Sequence, residues 1–407
     1  MPMPRSLVAL FACASGLSVA NVYYAQPLLD ALASDFAISP AAVGGVISAT
    51  QVGSLLALLL LVPLGDRIDR RRLMLGQLLV LAAALAGVSC ARSVTALVAG
   101  MLAIGLLGTA MTQGLIAYAA VAAAESERGR VVGAAQSGVV AGLLLARALA
   151  GWVADMAGWR AVYGGSALAM LAMSALLWHM LPRPPAQSLG ASNARLSYLA
   201  LIASMFALLR HDRVLQVRGV IALLMFVAFG ILWSALVLPL AAPPHHYSHT
   251  AIGAFGLVGC AGTLAAARAG QWADRGWGQR TSLAALLLIL LAWLPLWLGA
   301  RGTGPLSLAA LVVGILALDL GVQALQVTNQ QMIFSGSKAA HSRLVGCYMM
   351  FYAAGSGAGA LAATTVYARA GWSGVCLLGA AVSLAALLFW AANMLDESFK
   401  FRRRRCT

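Results

Sequence analysis

Charge is what this sequence has least of. Of its 407 residues only 10% are Asp, Glu, Lys or Arg, and only 12 are acidic. A soluble domain carries roughly 25% charged residues, so this supply cannot cover a soluble surface of the same size. Cysteine is sparse as well. Cys13, Cys90, Cys260, Cys347, Cys376 and Cys406 form no CxxC pair, and most lie inside apolar runs. That argues against a disulfide framework and against a structural zinc site. No HExxH and no Walker loop occurs, which excludes the usual signatures of a zinc-dependent intramembrane protease and of an ATP-driven pump. No catalytic constellation is visible, so the chain is not read as an enzyme, and no cofactor or metal is expected. Short alternating segments, the mark of a membrane barrel, are missing too.

What is present is apolar length. The chain is 61% hydrophobic, with a mean hydropathy of +0.87. Residues 73–91 and 94–124 contain no charge at all. Apolar runs of about 20 residues are long enough to cross a bilayer as helices. Twelve spans are predicted, at residues 7–29, 40–64, 73–91, 94–124, 131–153 and 161–181, then 218–241, 251–269, 281–300, 306–333, 345–368 and 373–395. The fourth and tenth are long enough to tilt or project. Leu10-Phe11-Ala12-Cys13 faintly resembles a lipoprotein cleavage site, but the apolar run continues past it. The N-terminus therefore reads as a first span rather than a removed signal.

The formal net charge is +15, which raises the question of a nucleic-acid partner. The placement of the basic residues argues against one. With the N-terminus inside, 22 of the 27 Lys and Arg fall in cytoplasmic segments and four, Arg92, Arg160, Arg301 and Arg369, on the other side. That asymmetry is the positive-inside pattern of a bacterial inner-membrane protein with both termini in the cytoplasm. The run Arg402–Arg405, with Lys400, is expected to lie against anionic lipid headgroups. Only Arg147 lies deep within a predicted span.

The longest polar interruption, 182–217, opens with Pro182-Arg183-Pro184-Pro185, a helix-breaking linker. Leu196–Leu209 turns apolar again but is too short to span, and reads as an interfacial helix. The two sides of this linker repeat. Asp66-Arg67 recurs as Asp274-Arg275 at a spacing of 208. At a spacing of 213, Arg130 pairs with Arg343, Gly133 with Gly346, Gly142 with Gly355, Gly158 with Gly371 and Trp159 with Trp372. The expected fold is an all-α membrane protein of twelve transmembrane helices in two pseudo-symmetric six-helix bundles. Its parts are an N-terminal bundle at 1–181, a linker at 182–217, a C-terminal bundle at 218–395 and a basic tail at 396–407.

The sharpest motif is the loop after the second span, Pro63-Leu64-Gly65-Asp66-Arg67-Ile68-Asp69-Arg70-Arg71-Arg72. It resembles the major facilitator superfamily loop signature G-x-L-A-D-R-x-G-R-R. Val62 stands where the first glycine belongs, and Asp69 replaces the later one. Two six-span halves joined by a linker are also that family's parallel-repeat plan. The resemblance implies a cytoplasmic latch made by Gly65, Asp66, Arg67, Arg70 and Arg71, with Asp274 and Arg275 in the second copy. Asn21-Val22-Tyr23-Tyr24-Ala25-Gln26-Pro27-Leu28-Leu29 looks like the first helix of a subset of bacterial efflux permeases. Leu318–Gln323 with Thr328-Asn329-Gln330, and Ala146-Arg147-Ala148 with Gly158-Trp159-Arg160, look like the tenth and fifth spans of the same subset. Gly138-x-x-x-Gly142 is followed by Leu143 rather than the proline of the drug-antiporter motif, a departure from that class.

Ionisable residues at bilayer depth are costly and mark function by default. Asp319 lies midway along the tenth span, and Gln323, Gln326 and Asn329 follow it near one helical face. Asp319 is the candidate proton-coupling carboxylate, with a fixed structural ion pair or hydrogen-bond hub as the alternative. Arg147 is either a counter-charge or anion site, or a cation reaching the interface. The remaining cavity candidates are Asn21, Tyr24, Gln26, Gln51, Gln113, Tyr348 and Tyr352, each of which could instead serve as a helix–helix hydrogen bond. Gly355–Gly359 reads as a packing face or hinge. His245, His246 and His249 read as a solvated loop, with metal capture as the alternative. The expected activity is proton-coupled efflux of a small organic molecule by a monomer. Import of an organic anion or sugar is the alternative, with a channel or membrane-embedded enzyme behind it.

Overall fold

The computed structural model describes all residues except 1–3, 66–67, 126, 182–196, 260–261, 263–267, 270, 273–274, 335–340 and 406–407. The first predicted span is broken. Helix α1 (Arg5–Tyr23) ends before a 3-10 turn at Gln26–Leu28, and α2 (Leu29–Asp35) follows. Pro27 has no N–H to continue an α-helical ladder, so the break falls where the sequence puts it. The second span is α3 (Gly44–Leu56), one π-helical turn at Ala57–Leu61, and α4 (Val62–Leu64). Then come α5 (Arg70–Ser89), α6 (Val94–Ala122), α7 (Arg128–Ala157) and α8 (Trp159–Met180). Helix α9 (Tyr198–His211) covers most of the predicted interfacial stretch. Beyond it lie α10 (Arg213–Ala235), α11 (Val237–Ala241), α12 (His249–Val258), α13 (Gly278–Gly299), α14 (Pro305–Phe334) and α15 (His341–Arg405).

Helix starts follow their capping residues. Asp69 accepts from the Arg72 N–H at 3.1 Å, Ser93 from Ala96 at 3.2 Å and Asp212 from Leu215 at 2.9 Å. Each satisfies a donor that a helix N-terminus leaves without an internal partner. Pro305 opens α14, where its missing N–H does no harm.

Among the described residues, ten helices are long and apolar enough to cross a membrane. The last, Arg343–Leu395, runs for 53 residues. At 1.5 Å per residue that is about 80 Å, far more than one crossing of about 30 Å. It is two rods. The helix is interrupted at Gly371, whose φ of 60° and ψ of −161° are non-helical. Gly158, its partner in the repeat, also has positive φ, at 81°, and separates α7 from α8. Only a residue without Cβ takes these conformations readily. The predicted eighth span is described mainly over α12; most of the rest lies outside the described residues.

The chain divides into two compact units. One comprises residues 1–204 and 236–257, the other 205–235 and 258–407. Within the first, α1 packs on α7 so closely that a Cβ at Gly138 would collide with the Ala12 carbonyl, and one at Gly142 with the Gly16 carbonyl. Within the second, α10 meets the first rod of α15 in the same way. A Cβ at Gly355 would strike the Leu223 carbonyl and one at Gly359 the Val227 carbonyl. The glycine stretches at 138–142 and 355–359 are therefore close-packing faces, the arrangement by which membrane helices gain van der Waals contact where water supplies no drive. The second rod of α15 packs on α13, where Trp293 and Trp297 donate to Ser383 and Ser373 at 3.0 and 3.1 Å.

Candidate functional site

In the first unit polar side chains gather beside the break between α1 and α2. Arg147, on α7, is 2% exposed, and its Nε donates to Gln26 Oε1 at 2.6 Å. Its guanidinium also lies over the Tyr23 ring, 5.4 Å from the centroid. A cation over an aromatic face gains electrostatically, the more so when desolvated. Asn21 is buried, donates to the Leu17 carbonyl at 2.8 Å, and accepts from the Ser166 hydroxyl on α8 at 2.5 Å. Tyr24 is buried edge-on to Tyr163, with centroids 6.4 Å apart. The structure thus gathers Asn21, Gln26 and Arg147 around one helix break. Gln51, on α3, is 1% exposed, and neither of its amide atoms has a hydrogen-bond partner among the described residues. Gln113, on α6, is half-buried.

In the second unit Asp319 lies midway along α14, 5% exposed, and accepts from the Trp233 indole of α10 at 3.3 Å. Gln323 and Gln326 follow on α14, half-buried, and Asn329 is fully buried. Asn329 accepts from Arg218 at 3.3 Å. Arg218 also donates to the Ser282 hydroxyl at 2.9 Å and to Gln279 Oε1 at 2.8 Å, both on α13. Gln279 further accepts from the Trp390 indole at 3.0 Å. Tyr348 is buried on α15, and Tyr352 meets Phe226 edge-on with centroids 4.3 Å apart.

Arg218, the first residue of the seventh predicted span, carries a role that the sequence reading did not assign to it. It lies inside α10, 3% exposed, at the centre of a hydrogen-bonded set on three helices. No spacing pattern signals this. Its five-residue offset from Arg213 places it one turn beyond the helix start, where a positive-inside count cannot separate a buried cation from a solvated one.

Of the loop residues, Asp66, Arg67 and Asp274 lie outside the described residues. Arg70 donates from Nε to the Gly65 carbonyl at 2.9 Å and from its terminal nitrogen to the Ala117 carbonyl of α6 at 3.2 Å. Arg71 donates to the Trp178 carbonyl of α8 at 2.6 Å and lies over that indole. Both arginines therefore brace carbonyls near the C-terminal ends of neighbouring helices, where a cation also complements the helix dipole. Arg275 is exposed in a turn. Among the described residues no group of three His, Cys, Asp or Glu is arranged to hold a metal ion.

Among the described residues, then, ten helices are long and apolar enough to cross a membrane, glycines of positive φ stand at matching repeat positions, and polar side chains are buried within those helices. The Major Facilitator Superfamily family model matches residues 11–342. The chain belongs to the major facilitator superfamily. A relative in Escherichia coli O157:H7, Uncharacterized transporter YgaY, is 40% identical over 385 residues, which is 95% of each chain. Two solved structures share the fold. The nucleoside transporter NupG superposes with a TM-score of 0.72 at 13% identity, over 95% of this chain and 98% of that one. A bacterial homolog of the human lysosomal transporter Spinster, inward-facing and unoccupied, gives 0.71 at 13% identity, over 95% and 96%. This major facilitator protein is accordingly a multi-pass membrane transporter of small molecules, not an enzyme, and it works as a secondary transporter.

Proposed function

We propose that this transporter exports a small organic molecule in exchange for protons, as a monomer in the bacterial inner membrane with both termini in the cytoplasm. The observation that carries the proton-coupled part is Asp319, a carboxylate buried midway along a crossing helix. A carboxylate at that depth is expensive to keep unless it titrates or serves transport. The Trp233 indole donates to one of its oxygens and so fixes where the carboxylate sits. The lysine–arginine asymmetry supports the orientation, and the likeness of the first, fifth and tenth spans to bacterial efflux permeases supports export. Gln51, buried with both amide atoms unbonded, supports a polar ligand in the first unit, because such a group is costly unless something binds it.

The test is accumulation of candidate solutes in inverted membrane vesicles under an imposed pH gradient. Export by proton exchange requires uptake that collapses with the gradient and is lost in Asp319→Asn at equal expression. Undiminished gradient-driven uptake in that variant would remove Asp319 from the mechanism. A second reading, import of an organic anion, is favoured by the buried guanidiniums of Arg147 and Arg218. Uptake confined to right-side-out cells would select it.

A further inference from the structure

Three titratable side chains from distant parts of the chain meet at one end of the first unit. His249, the first residue of α12, directs Nδ1 at Asp155 Oδ1, 2.9 Å away at the C-terminal end of α7. Its Nε2 lies 3.2 Å from both oxygens of Asp30, on α2. All three are about one-quarter exposed. A neutral imidazole has one N–H and can donate from one nitrogen only, whereas the imidazolium donates from both. Two ionised carboxylates facing two ring nitrogens therefore require one bound proton.

Asp155 does more than face the ring. It accepts from the backbone N–H groups of His249 and Thr250 at 3.1 and 2.7 Å, and from the Thr250 hydroxyl at 2.6 Å. It thus caps α12 from a different helix, satisfying donors that α12 cannot satisfy itself. The approach is made possible by small residues. A Cβ at Gly151 would collide with the His249 carbonyl, and one at Gly253 with the Arg147 carbonyl. At these two glycines the contact is backbone against backbone.

The remaining charged and titratable groups on these elements are otherwise engaged. Asp35 pairs with Arg160 and accepts from the Trp159 indole. Arg147, two turns deeper on α7, is turned to Gln26 and Tyr23. His245 lies against Tyr247 in the α11–α12 connection, and His246 is in the same turn. Residues 236–257, which pack with the first unit, continue at both ends directly into the second.

We propose that His249, Asp30 and Asp155 form a proton-binding clamp: the protonated trio pins residues 236–257 to α2 and α7, and loss of the proton frees them. This goes beyond the assignment of Asp319 and does not depend on it. The hydrogen bond to Asp30, then the charge of Asp30 and the contacts to Asp155, outweigh desolvation and raise the imidazole from 6.5 to about 9. Proton affinity in the closed clamp is then about 300-fold higher than for an unperturbed histidine. By linkage the clamp is at full strength below about 6.5 and weakens as pH rises towards 9. At neutral pH, parting the segment from its carboxylates expels the proton, and one unit of acidification within that range favours closure by about tenfold.

The experiment is a titration of ring-labelled histidine by NMR in the full chain in lipid nanodiscs, with His249 assigned through its loss in His249→Gln. The expected result is a midpoint near 9 that moves towards 6.5 in Asp30→Asn. A wild-type midpoint near 6.5, or one indifferent to Asp30→Asn, overturns the proposal. Hydrogen exchange over residues 248–258 provides the second readout. His249→Gln should exchange about tenfold faster there, with α3 and α6 unchanged, because local opening sets amide exchange. Unchanged exchange in both His249→Gln and Asp30→Asn also overturns it. Neither readout involves transport, so a failure of Asp319 coupling and a failure of the clamp are told apart.

Discussion

Compare the two buried guanidiniums. Arg147 lies towards the C-terminal end of α7, beside the break in the first helix, bonded to Gln26 and covered by Tyr23. Arg218 lies near the N-terminal end of α10, held by Ser282, Asn329 and Gln279. The repeat does not map one onto the other. Yet the packing around them does repeat. Gly142 and Gly355 sit at matching helix crossings, and Gly158 and Gly371 interrupt matching helix pairs. The two halves have kept their backbone contacts and exchanged their polar chemistry. In this transporter the glycine packing repeats and the buried polar groups do not.

The largest effect should come from breaking the shared scaffold. Gly142→Leu and Gly355→Leu each drive a side chain into a backbone carbonyl, which cannot yield as a side chain can. Overpacking of this kind costs about 3 kcal/mol or more. Both variants should be lost from the membrane or elute as aggregate by size exclusion. Normal yield of either would mean that the two crossings are not equivalent.

Asp319→Asn tests the opposite side of the comparison. It should leave yield and thermal midpoint near wild type while abolishing gradient-driven uptake. Arg218→Gln comes next. Removing the cation takes the Arg218 donor from the Asn329 oxygen and leaves Gln279 with the Trp390 indole alone, at about 1–3 kcal/mol. A lowered melting midpoint in detergent is the readout, and an unchanged one would show that the set reorganises around a missing member. The smallest contrast is expected between the paired tryptophans. Trp159 donates to the Asp35 carboxylate at 3.0 Å, and Trp372 to the Leu296 carbonyl at 3.0 Å. Trp159→Phe should cost about 1.5–3 kcal/mol and Trp372→Phe about 0.5–1.5, since hydrogen bonds to charged groups are the stronger. Equal losses would erase the distinction between carboxylate and carbonyl acceptors at these repeat positions.

The fold was legible because it is written in long-wavelength patterns. Apolar runs, a linker and glycines at a constant spacing survive without knowledge of contacts. The pairing of Gly158 with Gly371 was readable even before their positive φ was seen. The candidate site was legible only in part. Asp319 and Arg147 stand out because a charge inside an apolar run is conspicuous. Arg218 does not, because it borders a basic linker and a helix start hides it. His249 was read with His245 and His246 as a solvated loop, and in the structure it is instead held by Asp30 and Asp155. Those partners are 219 and 94 residues away. Nothing local in the sequence could bring them together.

The segment 236–257 has one further consequence. By covalent order it belongs to the later half of the gene, and by packing to the earlier half. A gene divided at the linker would give an N-terminal product that ends with Asp30 and Asp155 facing water and Gly151 bare, while the C-terminal product carries the piece that covers them. The halves are therefore not interchangeable modules. The N-terminal half would need the other's chain present to finish its own surface.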